Sequence, residues 1–290
     1  MTDFSLEPIK PHIGAVAHVA REHLLDLEFV DACRVAIEER GVLVFPQMHL
    51  TDAEQLAFTD LLGTRGTFTK NIPGADAAED PDVYKITLDK KINRQPEYVL
   101  GTYFWHIDGV TLDQPLPKAT LLTARKLSAV GGQTEFANTY AAYEQLPEAE
   151  KAALEGVMAL HTIEASMRPV FGQQSEEQLA RWRAMGSCMA HPLVWTHASG
   201  RKSLVIGTHA DSVLGRSLPE GRSLLIRLQE WAAQPDFSYR HEWQEGDFVV
   251  WDNSGTMHRV VPYPEDSGRT MHRTTIHGEE RVSGSYALTD

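Results

Sequence analysis

The chain has 290 residues, 42% apolar and 23% charged, and its 27 Lys and Arg against 40 Asp and Glu give a net charge of −13. The apolar share supports a sizeable core and excludes a chain disordered by composition, while the acidic balance argues against nucleic acid as a partner. No apolar run is long enough to cross a membrane, and residues 1–5 have neither the basic start nor the apolar core of a signal peptide, so the cytoplasm is the expected compartment.

In chain order, a helix is predicted over 27–39, where Phe29, Cys33, Val35 and Ala36 recur at helical spacing and Gly41 offers a stop. Val42-Leu43-Val44-Phe45 reads as a short buried strand closed by Pro46. Thr51 followed by Glu54 is a capping-box pair that opens a helix to about Leu62, ended by Gly63. A loop is expected over 72–81, flanked by strands over 83–88 and 98–104. From 105 onward, strands are expected at 118–127, 133–137, 192–196, 203–207, 239–243, 248–251 and 269–277. Helices are expected at 141–154, split by Pro147, at 175–185 and at 219–233. Strands with helices inserted between them predict a mainly β, α+β fold with a double-stranded β-helix (jelly-roll) core, as one domain over 1–290 with its core at 40–280. Segments 64–104 and 165–190 are the expected substrate lids. Cys33 and Cys188 form neither a disulfide framework nor a CxxC zinc pattern and read as small buried side chains.

Chemistry concentrates in two places. Trp105-His106-Ile107-Asp108 places an imidazole and a carboxylate at i and i+2, which share one face if the segment is a strand. His258, far along the chain, supplies a second imidazole from a different strand. Two histidines and one carboxylate leave open positions on iron, the pattern of a non-haem Fe(II) oxygenase. Thr208-His209-Ala210-Asp211 holds another His-x-Asp, but no arginine pair follows it at useful spacing, so His209 is expected to line the substrate cavity.

Arg269 and Arg273 fall on one face of a strand with Met271 between them. Guanidiniums inside a β-structure need anions, and each presents a fork that grips a carboxylate. This pairing points to 2-oxoglutarate as the co-substrate with oxygen.

These residues, with Gly131-Gly132-Gln133-Thr134, His191-Pro192-Leu193-Val194, Gly200-Arg201-Lys202-Ser203-Leu204, Trp251-Asp252-Asn253 before His258, and Arg269-Thr270-Met271-His272-Arg273, resemble the TauD/TfdA family of dioxygenases over roughly residues 40–280. The resemblance implies Fe(II) held by His106, Asp108 and His258, and 2-oxoglutarate held by Arg269 with help from Thr134. It implies Arg273 as the partner of an acidic substrate, and a homo-oligomer, dimer or tetramer. Residues 207–215 and Met257-His258-Arg259 are more similar to the phenoxyacetate branch than to the taurine branch. Two departures accompany this: Ser254 stands where many relatives have arginine, and Thr64-Arg65-Gly66-Thr67 replaces the His-Pro that follows in taurine enzymes. The expected substrate is therefore a small organic acid met by Arg273 and Lys70, with Tyr103, Phe104, Phe171 or Trp195 against its apolar body. Hydroxylation of a C–H bond is the expected reaction, with cleavage of an adjacent C–O, C–S or C–N bond. Desaturation, cyclisation or isonitrile formation at the same site is the alternative, and a non-catalytic jelly-roll binding protein the distant one.

Overall fold

The structure, a computed structural model, describes residues 3–67, 82–184 and 188–288. The N-terminal part builds β1 (Phe4–Pro8), β2 (Ala15–Val19), α1 (Leu27–Arg40), β3 (Val42–Phe45), α2 (Asp52–Leu62), β4 (Tyr84–Ile86) and α3 (Glu97–Leu100). The middle adds β5 (Ala119–Lys126), β6 (Thr134–Asn138), α4 (Thr139–Glu144), α5 (Glu148–Leu154), β7 (Met158–Thr162), α6 (Ile163–Phe171) and α7 (Glu176–Ala184). The rest comprises β8 (Cys188–Pro192), β9 (Val194–Thr196), β10 (Lys202–Leu204), β11 (Ala210–Val213), α8 (Leu218–Ala232), β12 (Ser238–His241), β13 (Phe248–Asp252), β14 (Thr256–Val260), β15 (Thr270–Ile276) and β16 (Tyr286–Ala287). Among the described residues, no helix is long and apolar enough to cross a membrane.

A seven-stranded sheet in the order β1-β2-β3-β13-β5-β15-β4 forms one layer. Strand alternation sorts its side chains. Leu43, Phe45, Leu121, Phe248 and Val250 point outward, where α1 covers them with Phe29, Val30 and Cys33 and α2 with Phe58 and Leu62. Val42, Val44, Leu122, Val249, Trp251 and Met271 point inward and pack on Phe136 of the second layer. The α2 helix starts at the capping box of Thr51 and Glu54 and is tied to β15 through buried polar groups. Gln55 Nε2 donates to His272 O at 3.1 Å, and the hydroxyls of Thr59 and Thr274 lie 2.8 Å apart. That docking sets the position of the strand carrying Arg273.

The opposing layer is interrupted, with ladders β12-β6-β14 and β11-β7-β8-β16 as separate units. The segment around His106 joins them. His106 and His258 exchange backbone hydrogen bonds of 3.0 and 2.9 Å, and Thr208 N–H donates to Trp105 O at 2.7 Å. The architecture is thus a set of mixed sheets with helices packed outside, and the two expected ligand segments meet inside it.

Most elements lie near their expected bounds, including the break at Pro147 between α4 and α5. Two expectations are corrected. Residues 98–104 are not a strand: α3 and a 3-10 turn (Gly101–Tyr103) occupy them, because Gly101 continues the helical backbone that Glu97 opens. His106 and Asp108 do not lie on a regular strand, since only His106 makes a β-bridge and the chain turns immediately after. The α6 helix was not expected. Pro169 reads as a breaker, yet the Thr162 hydroxyl caps the start by accepting from Ala165 N–H.

Candidate active site

His106, Asp108 and His258 converge, with one ligating atom of each within 4.8 Å of the others. His106 Nε2 lies 3.8 Å from Asp108 Oδ1 and His258 Nε2 lies 3.9 Å from Oδ2. These separations are too long for hydrogen bonds and suit three donors around one ion. The tautomer of His106 is fixed, because Nδ1–H donates to Phe104 O at 2.8 Å and leaves the Nε2 lone pair to a metal. Burial holds both imidazoles below their ordinary pKa, so they are neutral ligands at neutral pH. Burial opposes ionisation of Asp108, but Arg273, His258, His106 and the Thr120 hydroxyl outweigh it and bring the carboxyl down to about 2. Arg273 Nη2 donates to Asp108 Oδ2 at 2.8 Å and Thr120 Oγ1 donates to the same oxygen at 3.1 Å.

Arg269 is 2% exposed and has no carboxylate partner among the described residues. Its Nη2 donates to Gly132 O at 3.0 Å, and its guanidinium stands 4.9 Å over the Tyr263 ring. Two glycines make this packing possible. A Cβ on Gly132, at φ +83°, would sit 2.9 Å from Arg269 Nε, and one on Gly131 would fall 1.9 Å from Pro262 O. Thr134 is buried at the start of β6, and its Oγ1 accepts from Trp243 Nε1–H at 2.9 Å, so its own proton is left to donate elsewhere. Burial disfavours the charged form of Arg269. A buried cation without an anion is costly, which makes this a place built for one.

A cavity of about 230 Å³ opens beside the triad and is lined by two of its members, His106 and Asp108. Arg273, His106 and Asp108 line its floor, with Tyr84, Ile86, Tyr98, Val99, Ile163 and Met167 as apolar wall. Segments 64–104 and 165–190 thus both contribute lining residues. Among the described residues lining it, Arg273 is the one arginine or lysine. His209 also lines it, but its Nε2 accepts Ile107 N–H at 3.1 Å and its Nδ1 meets His161 Nδ1 at 2.8 Å, so it braces the metal loop as well. Tyr103 is not among the lining residues. Its hydroxyl donates to Tyr263 O at 3.2 Å and its ring packs on that of Tyr263, on the Arg269 side. Phe104, Phe171 and Trp195 are likewise absent from the lining, and Lys70 lies outside the described residues. The wall residues sequence reasoning missed have no signature, because Tyr84 and Met167 carry ordinary apolar side chains on elements whose placement is set by the fold. A larger hollow of about 420 Å³ between α6 and α8 contains the paired Arg168, Asp211 and Arg222 but none of the triad.

A neutral imidazole pair with one carboxylate, together with a buried arginine that has no carboxylate partner among the described residues, suits one class: a metal-dependent oxygenase using an anionic co-substrate. The model of the family described as "Taurine catabolism dioxygenase TauD, TfdA family" matches residues 5–275. The chain is similar to an alpha-ketoglutarate-dependent 2,4-dichlorophenoxyacetate dioxygenase of Burkholderia sp. (strain RASC), 36% identical over 92% of this chain and 91% of that one. It is also similar to an alpha-ketoglutarate-dependent sulfate ester dioxygenase of Pseudomonas putida, 30% identical over 97% and 91%. Among solved structures, AAD-2 in complex with Mn(II) and N-oxalylglycine superposes with a TM-score of 0.80 at 30% identity, covering 97% of this chain and 99% of that one. The chain belongs to the TauD/TfdA family. It is an oxidoreductase, a dioxygenase dependent on Fe(II) and 2-oxoglutarate.

Proposed function

We propose that this dioxygenase hydroxylates a carbon bearing an oxygen substituent in a small anionic substrate, so that the product collapses with C–O cleavage. Aryloxyacetates and alkyl sulfate esters share that chemistry, with an anion, an adjacent C–O bond and an apolar body. The observation that carries the reading is Arg273 on the floor of an otherwise largely apolar cavity, beside the triad. Its guanidinium would hold the substrate anion, leaving the apolar body against Tyr98, Val99, Ile163 and Met167.

In this reading His106, Asp108 and His258 hold Fe(II), and their neutral imidazoles with one ionised carboxylate suit a divalent ion. Arg269 would pair with the distal carboxylate of 2-oxoglutarate, with the Thr134 hydroxyl donating to it. The bound metal and co-substrate supply the oxidation: one oxygen atom of O2 enters the substrate C–H bond and the other enters succinate as CO2 leaves. The protein orients the C–H bond and keeps water from the oxidant. The two sheet layers are read as a jelly roll completed through the His106–His258 bridge, forming one catalytic domain in the cytoplasm.

A panel of aryloxyacetates, aryloxypropionates, alkyl sulfates and taurine, assayed for succinate together with released phenol or sulfate, tests the substrate class. The expected result is product release matched to succinate for an aryloxy acid or sulfate ester, lost in Arg273→Met. Turnover of neutral or cationic compounds in preference to anions, or full activity in Arg273→Met, overturns it.

A further inference from the structure

We propose that Thr120 is a positioning residue for Asp108, held in that role by a one-way hydrogen-bond relay from Trp251 through Asn253. Trp251 Nε1 lies 2.9 Å from Asn253 Oδ1, Asn253 Nδ2 lies 2.8 Å from Thr120 Oγ1, and Thr120 Oγ1 lies 3.1 Å from Asp108 Oδ2. Its direction follows from chemistry. The indole N–H only donates, so the amide oxygen of Asn253 must face it and the amide nitrogen must face Thr120. That nitrogen only donates, so the Thr120 oxygen accepts, and its single proton is committed to the ionised Asp108. Three donors in series therefore point at the carboxylate.

The fold builds this relay from neighbouring strands. Trp251 of β13 and Thr120 of β5 are direct partners in the antiparallel register. Asn253 follows the end of β13, and its backbone N–H donates to Lys118 O at 3.0 Å, which holds the amide between the two strands. Trp251, Asn253 and Thr120 are 2%, 0% and 0% exposed, so the links are shielded from bulk water. With Thr120 and Arg273 both donating to Oδ2, no protein donor among the described residues reaches Oδ1. The relay thus fixes the carboxylate rotation and presents Oδ1 to the site. It also gives the Trp-x-Asn spacing a purpose separate from binding either co-substrate or substrate.

The inference rests on the triad being the metal site, and the test separates the two. Apo-protein is titrated with Co(II), following its visible ligand-field bands without 2-oxoglutarate, for wild type, Thr120→Val, Thr120→Ser, Trp251→Phe and His106→Ala. Thr120→Val keeps the side-chain shape but deletes the donor, and is expected to weaken Co(II) binding by about 10–100-fold. Thr120→Ser, which restores the hydroxyl, is expected to bind close to wild type, and Trp251→Phe to weaken binding by a smaller factor. Wild-type affinity in Thr120→Val, or equal weakness in Thr120→Ser, overturns the relay. If Thr120→Val does not fold, Trp251→Phe decides, and wild-type affinity there overturns it. Undiminished binding in His106→Ala overturns the metal site itself, whereas loss there with retention in Thr120→Val overturns only the relay.

Discussion

At the residue scale, the site depends on two arginines with different surroundings. Arg269 is buried against Gly132 and Tyr263 with no carboxylate partner among the described residues, and Arg273 donates to Asp108. Truncating one partner of a buried ionic pair costs about 2–5 kcal/mol, so Arg269→Ala is expected to raise the KM for 2-oxoglutarate by about 30-fold or more. Gly132→Ala places a methyl 2.9 Å from Arg269 Nε at a positive φ, and should raise the same KM while leaving Co(II) affinity unchanged. Steady-state kinetics against 2-oxoglutarate with a Co(II) titration checks both; an unchanged KM in Arg269→Ala contradicts the assignment. These residues were legible because few chemistries demand two histidines, one aspartate and two arginines in that order. The direction of Tyr103 was not legible, because an aromatic next to such a loop has no preferred direction until the backbone is known, and here its hydroxyl donates to Tyr263 O. Gly131 and Gly132 were visible only as a motif, and the structure supplies the reason: Pro262 O and Arg269 leave no room for a Cβ.

At the element scale, short apolar and β-branched runs made β3, β5 and β13 legible, the alternation of Arg269, Met271 and Arg273 did the same for β15, and capping chemistry for α2. Thr51→Ala removes the hydroxyl that accepts Glu54 N–H and should cost about 1 kcal/mol in thermal or denaturant unfolding. What failed was local structure decided by tertiary contacts. Residues 105–108 look like a strand, but only His106 finds a strand partner, and His209 takes the Ile107 N–H. The helix after β7 was hidden by Pro169, although it carries Ser166 and Met167 to the cavity. The buried His161 and His209, linking β7 to the segment before β11, also set a pH dependence. Burial, then neighbouring histidines, hold both well below the ordinary imidazole value, so the folded state binds fewer protons than the unfolded chain below about pH 6.5. Stability should therefore be full above that pH and fall as pH drops, by up to about 1.4 kcal/mol per pH unit for each histidine. Urea unfolding of apo-protein at pH 7.5, 6.5 and 5.5 measures this; a flat profile contradicts the neutral, buried pair.

At the scale of the whole molecule, one layer is continuous and the other is split, and the metal loop bridges the split. That arrangement explains why ligands so distant in sequence meet: His258 on β14 and His106 are held by a single pair of backbone hydrogen bonds. Binding of Co(II) and 2-oxoglutarate to the folded state alone should raise the melting temperature of wild type, by linkage, and not that of His106→Ala. The mix of strands and inserted helices could be read from the sequence, but the cavity wall could not, since Tyr84, Tyr98 and Met167 come from three elements brought together only by folding.

The most direct test adds Fe(II) and 2-oxoglutarate to apo-protein without oxygen and looks for the weak visible charge-transfer band of the chelated co-substrate. The account predicts a band in wild type that is absent in His106→Ala and weakened in Arg269→Ala. Folded, metal-loaded wild-type protein that shows no band would contradict it.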